Sequence, residues 1–360
     1  MTQVALAAIT RRTLLAGTGA LLANGGSAGA ADLTGRVSAL TRDAAICGMS
    51  VATLKDGEID QIAVGTGCTA DITDKAVFQA ASLSKPVVAT IALKLVATGV
   101  LSLDEPVSRY LPEGYRHRQN LFALKAAPVT DLVSTEILNR ITLRQLLSHS
   151  AGFANWSSSA PLKPEYPPGS GWHYSGEGYV LVQRILEAVS GKSLQQLAEE
   201  MVFQPLGLRS SAFKLVDEIR PYLVAGQPKQ LRFPDEIAAS SLYTTAFDYI
   251  RFVKATLADE AILTVMLQAP VALPRSLGNI WQSTHLAWGL GWGIEQDEHP
   301  KTIWHWGNNP GFRALVMADL ATRDAIVVFT AADTGMAAAK TLVQETLAGK
   351  HPALALPQVN

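Results

Sequence analysis

The chain has 360 residues and a formal net charge of −1, and 48% of its residues are hydrophobic against 17% charged. The charged fraction is below the roughly 25% usual for soluble domains, so there is ample apolar material for one large core or two closely packed units. The sequence has no basic run or Lys/Arg-rich arm, which argues against nucleic acid as a partner.

The first 30 residues predict a signal peptide of the twin-arginine type. Arg11 and Arg12 are the only charged residues in this segment, and the apolar run Leu14–Ala23 and the small-residue site Ala28-Gly29-Ala30 follow them. The apolar run is shorter than the about 20 residues that a membrane span needs. We therefore expect a bacterial protein exported to the periplasm or beyond, with no stable membrane span.

The next segment predicts a β-hairpin. Strand-like stretches over 49–54 and 59–64 flank Asp56-Gly57, a strong hairpin-turn signal. Paired residue numbers should sum to 113, and Cys47 and Cys68 come close to that value at 115. They are therefore candidates for a disulfide across the open end of the hairpin, although two separate buried thiols remain an alternative.

Hydrophobic periodicity predicts further elements in chain order. Helices are expected over 33–41, 87–96, 141–148, 178–189, 194–203, 245–257 and 336–347, and strands over 289–295, 302–307, 313–319 and 325–330. Strands at both ends of the chain with helices between them predict an α/β (α+β) fold. Its antiparallel sheet would combine residues 31–81 with 285–350, a mainly α-helical region (82–284) would be inserted, and 351–360 would form a tail.

Ser82-Leu83-Ser84-Lys85 is the stretch that carries chemistry. Pro86 is tolerated only in the first turn of a helix, so the helix should begin at about Ser82. Residues three apart share a helix face, which places the Lys85 amine within reach of the Ser82 hydroxyl. The apolar run that follows would bury the amine, lower its pKa and make it a base. A chance match on a solvated helix face is the alternative.

The order of three motifs resembles the serine β-lactamase and penicillin-binding protein family. Ser82-x-x-Lys85 is followed by Tyr174 and then by His305-x-Gly307, as in the branch of class C β-lactamases, DD-peptidases and related (family VIII-type) esterases. The similarity extends to the segments 101–112 and 141–153 and covers about residues 33 to 348. The β-lactamase/DD-peptidase fold is what this resemblance implies.

The resemblance also implies roles for individual residues. Ser82 would be the nucleophile, Lys85 its base and Tyr174 a phenolate-like partner that passes the proton to the leaving group. His305 stands where the family has a lysine or histidine that holds this network. The backbone N–H groups of Ser82 and Asn308 would form the oxyanion hole. The implied reaction is acyl transfer through an acyl-enzyme.

Two departures from the family pattern concern substrate binding. Gly176 replaces an asparagine that contacts the lysine and a substrate amide, and Trp306, just before Gly307, replaces a Thr or Ser that binds a substrate carboxylate. With Trp172 nearby in sequence, the added apolar surface favours esters or apolar amides over efficient β-lactam turnover. Alternatively, Trp304 and Trp306 point into the core from the far face of the strand.

The leading hypothesis is an exported serine hydrolase without cofactor, acting on small esters or D-amino-acid-type amides or peptides. No metal-binding spacing occurs in the sequence, so no metal is expected. A β-lactamase or DD-carboxypeptidase is the nearest alternative, and a non-catalytic cell-wall-binding protein on the same scaffold is another. The joint presence of serine, lysine and tyrosine argues against the binding protein. His149 also matches a family position, and we assign it a structural role.

Overall fold

The computed structural model describes residues 27–65, 72–123, 129–157, 161–274, 276 and 285–359, with side chains from residue 33 onward. Most of the predicted signal peptide, residues 1–26, lies outside the described residues. No helix in the described part of the chain is both long and apolar enough to cross a membrane.

The strands fall mainly at the two ends of the chain. They are β1 (Gly48–Lys55), β2 (Glu58–Gly65), β3 (Phe78–Ala81), β4 (Tyr115–Arg118), β5 (Thr130–Val133), β6 (Leu242–Thr244), β7 (Val271–Ala272), β8 (Leu286–Trp288), β9 (Gly293–Gln296), β10 (Pro300–Asn309), β11 (Phe312–Asp319) and β12 (Ala325–Thr330).

Most helices lie between the two groups of strands. They are α1 (Ser27–Asp43), α2 (Ser84–Ala97), α3 (Thr135–Leu138), α4 (Leu143–Leu147), α5 (Gly176–Ser190), α6 (Leu194–Ala198), α7 (Gln204–Leu206), α8 (Ala246–Ala258), α9 (Glu260–Leu267) and α10 (Met336–Thr346). A π-helical turn, Glu199–Phe203, joins α6 to α7, so the predicted helix over 194–203 is not a regular α-helix. Sequence periodicity did not predict α9.

An eight-stranded sheet in the order β2-β1-β12-β11-β10-β9-β8-β7 organises the fold. The N-terminal β1 lies beside the C-terminal β12 in antiparallel register, with Met49 opposite Thr330. The prediction of a sheet assembled from both ends of the chain is confirmed. The two-stranded β3–β6 and β4–β5 pairs lie outside this sheet.

Both faces of the sheet are covered, which explains the continuous apolar runs in its strands. Successive residues of a strand point to opposite faces. In β12, Val327 and Phe329 therefore join the core formed with α2, α5 and α8, whereas Ile326 and Val328 join the core under α1 and α10. The sheet thus lies between the helical region and the terminal helices.

The predicted hairpin register is confirmed. Met49 pairs with Val64 and Leu54 with Ile59, so the paired numbers sum to 113. Asp56 and Gly57 have φ values of 49° and 82°, the left-handed backbone that a two-residue turn of this kind requires. Cys47 is buried just before β1. Cys68 lies outside the described residues, so the disulfide stays a prediction.

The segment predicted as a tail is packed against the sheet. Four of its apolar residues, Ala353, Leu354, Leu356 and Val359, are buried with the core under α1 and α10. The buried Glu295 of β9 holds it by accepting the Ala353 N–H at 3.0 Å and contacting His351 Nδ1 at 3.0 Å.

Candidate active site

Ser82 lies in the turn between β3 and α2 rather than inside the helix. We predicted a helix start at about Ser82, but α2 begins at Ser84. Ala81 adopts a left-handed φ of 51°, which turns the chain sharply at the end of β3 and prevents a helical start there. The Lys85 N–H still closes a turn on the Ser82 carbonyl at 3.0 Å.

Lys85 reaches Ser82 as predicted. Its Nζ donates to Ser82 Oγ at 3.0 Å and to the Ala239 carbonyl at 2.8 Å, and the side chain is 1% exposed. Burial lowers the pKa of Lys85 well below its ordinary value. A lower pKa increases the fraction of neutral amine, the form of lysine that accepts a proton.

Tyr174 packs beside this pair, with its ring centroid 4.8 Å from Lys85 Nζ. Its hydroxyl is buried, with the Ser82 side chain as a hydrogen-bonding neighbour. Burial raises the pKa of Tyr174, and the nearby Ser82 offsets this only in part. Tyr174 is therefore a neutral phenol in the resting site at neutral pH, and its part in proton transfer stays a prediction.

His305 is fully buried on β10, 6.3 Å from Tyr174 between ring centroids. Its Nδ1 lies 2.8 Å from the Trp306 carbonyl, and a carbonyl only accepts, so Nδ1 carries the proton and Nε2 does not. Burial lowers the pKa of His305 to about 3. His305 therefore supplies no positive charge at neutral pH.

Gly307 allows β10 to approach the serine turn. A Cβ at this position would lie 2.5 Å from the Ala80 carbonyl oxygen and 3.1 Å from the Ala81 Cβ, closer than side chains tolerate. The absent side chain thus brings the next residue, Asn308, toward the end of β3, where the Ser82 turn begins.

Gly176 faces a space that is already filled. A Cβ there would lie 2.8 Å from the Asn155 carbonyl oxygen and 2.8 Å from the Trp156 ring. The same Asn155 carbonyl accepts the N–H groups of Gly176 at 3.0 Å and Glu177 at 3.1 Å. The asparagine of the family motif is therefore excluded at this position by packing.

We predict that Gly176→Ala destabilises the protein by about 1–3 kcal/mol, because the new methyl group forces the Asn155 carbonyl away from α5. The matched control is Gly178→Ala in the same helix, where the nearest contact is Ser175 Oγ at 3.3 Å. Urea unfolding and kcat measure both variants. Equal stability of the two alanine variants would contradict the packing argument.

The tryptophans expected near the substrate form the packing behind Tyr174. Trp172 is 5% and Trp306 6% exposed, and the Trp306 ring lies 4.9 Å from that of Tyr174. Trp304 stacks on Trp306 at 5.7 Å and is fully buried in the core under α1 and α10. The indole of Trp306 supports the tyrosine, and its role in binding substrate stays a prediction.

A buried ionic cluster that sequence reasoning missed lies next to the site. His117 lies between Asp131, at 2.9 Å from Nδ1, and Glu177, at 3.2 Å from Nε2. Burial lowers the pKa of His117, but the two carboxylates outweigh this and raise it overall. Glu177 also accepts the Ser157 N–H at 2.7 Å. The cluster therefore connects the segment that contains Trp156 and Ser157 with the first turn of α5.

The arrangement brings together a half-buried hydroxyl, a buried amine with a lowered pKa and a neutral phenol, the kinds of group that nucleophilic catalysis uses. No group of His, Cys, Asp and Glu residues suited to a metal ion occurs in the described ranges.

Comparison with known proteins defines the class of this chain. The β-lactamase family model matches residues 33–349. A solved class C β-lactamase superposes with a TM-score of 0.71 over 90% of this chain and 99% of that chain, at 19% sequence identity, which shows the fold. The protein is a serine hydrolase in fold and family, and the chain belongs to the β-lactamase family.

Its relatives include penicillin-binding proteins and esterases. It is 26% identical over 316 residues to penicillin-binding protein 4 of Amycolatopsis lactamdurans, covering 77% of this chain and 76% of that protein. It is 32% identical over 194 residues to esterase EstB of Burkholderia gladioli, covering 44% of this chain and 45% of that protein.

Proposed function

We propose that the protein hydrolyses esters, or amides of the D-amino-acid type, through an acyl-enzyme on Ser82. The observation that carries this proposal is the 3.0 Å hydrogen bond between Lys85 Nζ and Ser82 Oγ in a buried setting. A lysine with a lowered pKa at that distance is a general base for the hydroxyl.

The steps follow from the protonation states. Lys85 takes the proton from Ser82 as the hydroxyl oxygen attacks the substrate carbonyl carbon, and the backbone N–H groups of Ser82 and Asn308 would stabilise the oxyanion. The phenol of Tyr174 donates its proton to the leaving oxygen or nitrogen and regains one from Lys85. Water then attacks the acyl-enzyme carbonyl carbon and loses a proton to Lys85, the bond from that carbon to Ser82 Oγ breaks, and the lysine returns the proton to Oγ.

Esters are favoured because Gly176, His305 and Trp306, at the described positions where the family binds a substrate amide or carboxylate, offer no group that would recognise a β-lactam or a D-alanyl terminus. Gly176 has no side chain to bind an amide, and Trp156 fills the adjacent space. His305 is buried and neutral, and Trp306 has no hydroxyl, so neither supplies a partner for a substrate carboxylate. An enzyme discriminates strongly between substrates according to whether their polar groups find hydrogen-bonding partners in the site.

A substrate panel tests this proposal on the purified mature protein. It compares a chromogenic short-chain ester, a chromogenic cephalosporin and a D-alanyl peptide, with fluorophosphonate labelling mapped to its residue. We expect label on Ser82 and a kcat/KM for the ester at least about 100-fold above that for the cephalosporin. Fast cephalosporin turnover would favour a β-lactamase, and no label and no turnover would favour a non-catalytic binding protein.

The second candidate, a β-lactamase or DD-carboxypeptidase, is supported by the likeness to penicillin-binding protein 4 over about three quarters of both chains. Preferential cleavage of the D-alanyl peptide in the same panel would select the carboxypeptidase.

We also propose export through a twin-arginine signal, which is supported by Arg11-Arg12 and the apolar run after them. Cell fractionation of the variant with Arg11→Lys and Arg12→Lys tests it, since the variant should remain in the cytosol. Export unchanged by the double substitution would overturn the proposal.

A further inference from the structure

His149 forms hydrogen bonds with both sequence neighbours of Tyr174. Its backbone carbonyl accepts the N–H of His173 at 2.7 Å, and its ring nitrogen Nδ1 accepts the N–H of Ser175 at 3.1 Å. The residues on either side of Tyr174 are therefore both hydrogen-bonded to one residue. Both bonds run from an amide donor to an acceptor on His149, so they fix the backbone from which the tyrosine projects.

The ring of His149 also packs directly on that of Tyr174. Their centroids are 4.3 Å apart, and Trp288 lies 5.2 Å from the histidine ring. His149 is 1% exposed, so its ring is held in place by the surrounding packing. The hydroxyl of Tyr174 has the Ser82 side chain as a hydrogen-bonding neighbour, and the packing of His149 and Trp288 holds the ring that carries it.

The protonation state of His149 suits this role. An amide N–H can only donate, so Nδ1 must be unprotonated. Burial lowers the pKa of His149 well below its ordinary value, and the ring stays neutral. A protonated His149 would carry a hydrogen on Nδ1 and would lose the bond to Ser175.

The backbone of His149 is adapted to the same contacts. Its φ of 58° lies in the left-handed region, which is uncommon for residues other than glycine, although histidine is found there more often than most. The residue follows Ser148, the C-cap of α4, and its carbonyl and its ring both contact the tyrosine segment. Strained backbone of this kind persists where the surroundings hold it in place.

We propose that His149 is a positioning residue for the reaction: as a neutral hydrogen-bond acceptor for Ser175 it holds the phenol of Tyr174 against Lys85. The inference rests on the proposed function, because Tyr174 must take part in proton transfer for its position to matter. His149 itself need not touch the substrate, so its effect should be on kcat rather than on KM.

Two substitutions separate the hydrogen bond from mere packing. Asparagine tolerates the left-handed backbone and places Oδ1 where the histidine has Nδ1, whereas leucine fills space without an acceptor. We expect His149→Leu to lower kcat for the ester about 10- to 100-fold with KM changed less than about threefold. We expect His149→Asn to retain kcat within about fivefold of the unmodified protein. An asparagine variant no better than the leucine variant would overturn the proposal.

A double-mutant cycle with Tyr174→Phe shows whether His149 acts through the tyrosine. In the phenylalanine background, His149→Leu should cost less than about twofold in kcat, because residues that act as a unit are not additive. An equal cost in both backgrounds would overturn the positioning role. If Tyr174→Phe alone leaves kcat unchanged, the assigned role of Tyr174 in the proposed function is wrong instead.

A third variant keeps the test decisive if leucine prevents folding. His149→Gly relieves the backbone strain and removes both the ring and its acceptor. Its folding is checked by thermal melting, and its pH–rate profile is compared with that of His149→Asn. We expect the glycine variant to have a lower kcat and a pH–rate profile shifted from that of the unmodified protein. We expect the asparagine variant to keep the kcat and the pH–rate profile of the unmodified protein. A glycine variant with unchanged kcat and profile would refute the proposal.

Discussion

Replacing Ser82 with alanine is expected to lower ester hydrolysis by at least about 1,000-fold, since removal of a nucleophile leaves only binding and oxyanion stabilisation. The melting temperature should change little. Ser82 is only half-buried, and Lys85 keeps its hydrogen bond to the Ala239 carbonyl. Steady-state kinetics and thermal melting of the same preparations measure both effects.

Ser84 supplies the matched control within the same motif. Its hydroxyl is fully buried, donates to the Ala81 carbonyl at 2.6 Å and accepts the Leu242 N–H at 3.0 Å. Ser84→Ala leaves that N–H unpaired and should cost about 1–3 kcal/mol of stability, while activity per folded molecule and fluorophosphonate labelling persist. If Ser82→Ala stayed active while Ser84→Ala lost its label, the nucleophile would be misassigned.

Replacing Lys85 with methionine should separate activity from stability. Methionine fills the space of the lysine but has no basic nitrogen, so kcat should fall by about 100- to 10,000-fold. The free energy of unfolding at pH 7 should rise, since a buried amine is replaced by an apolar group of similar volume. Such an exchange of stability for activity is expected where a buried polar group serves function.

The lowered pKa of Lys85 determines how the stability gained by Lys85→Met depends on pH. Folding lowers the pKa of Lys85 below its ordinary value of 10.5, so the unfolded chain binds the proton more tightly than the folded protein does. The resulting loss of stability is absent above pH 10.5, grows as the pH falls toward the folded pKa, and is complete below it. Urea unfolding from pH 7 to 11 should therefore show a gain for Lys85→Met that shrinks with rising pH.

Lys94 on the same helix is the control for this substitution. It is half-buried, burial also lowers its pKa, and its Nζ donates to the Met201 carbonyl at 2.6 Å, away from Ser82. Lys94→Met should leave kcat within about twofold, as expected of a substitution remote from the reacting groups. A loss of activity as large as that of Lys85→Met would show that removal of any helix lysine, rather than of the base, impairs the enzyme.

The features that could be predicted from sequence depend on local periodicity. The hairpin register, the strands β11 and β12 and the pairing of Ser82 with Lys85 all involve residues close in sequence, whose spacing determines which side chains share a face. The start of α2 was misplaced by two residues, because the left-handed turn at Ala81 leaves no hydrophobic pattern.

Other features of the site arise only from contacts between distant segments. The Ala239 carbonyl that holds Lys85 lies 154 residues away along the chain, and Ser175 is separated from His149 by 26 residues. The phenol of Tyr174 stays neutral because tertiary packing buries it. No local pattern encodes these distances, since they depend on how the strands and helices pack together.

The sequence by itself therefore determined the family, the order of the motifs and the assembly of the sheet from both ends of the chain. Only the tertiary structure decided that Trp156 occupies the space beside Gly176, that His305 is neutral, and that His149 holds the tyrosine segment. The physical reason is that residue type and spacing specify which groups are present. Burial and long-range packing then decide their charge, their orientation and the room left for a substrate.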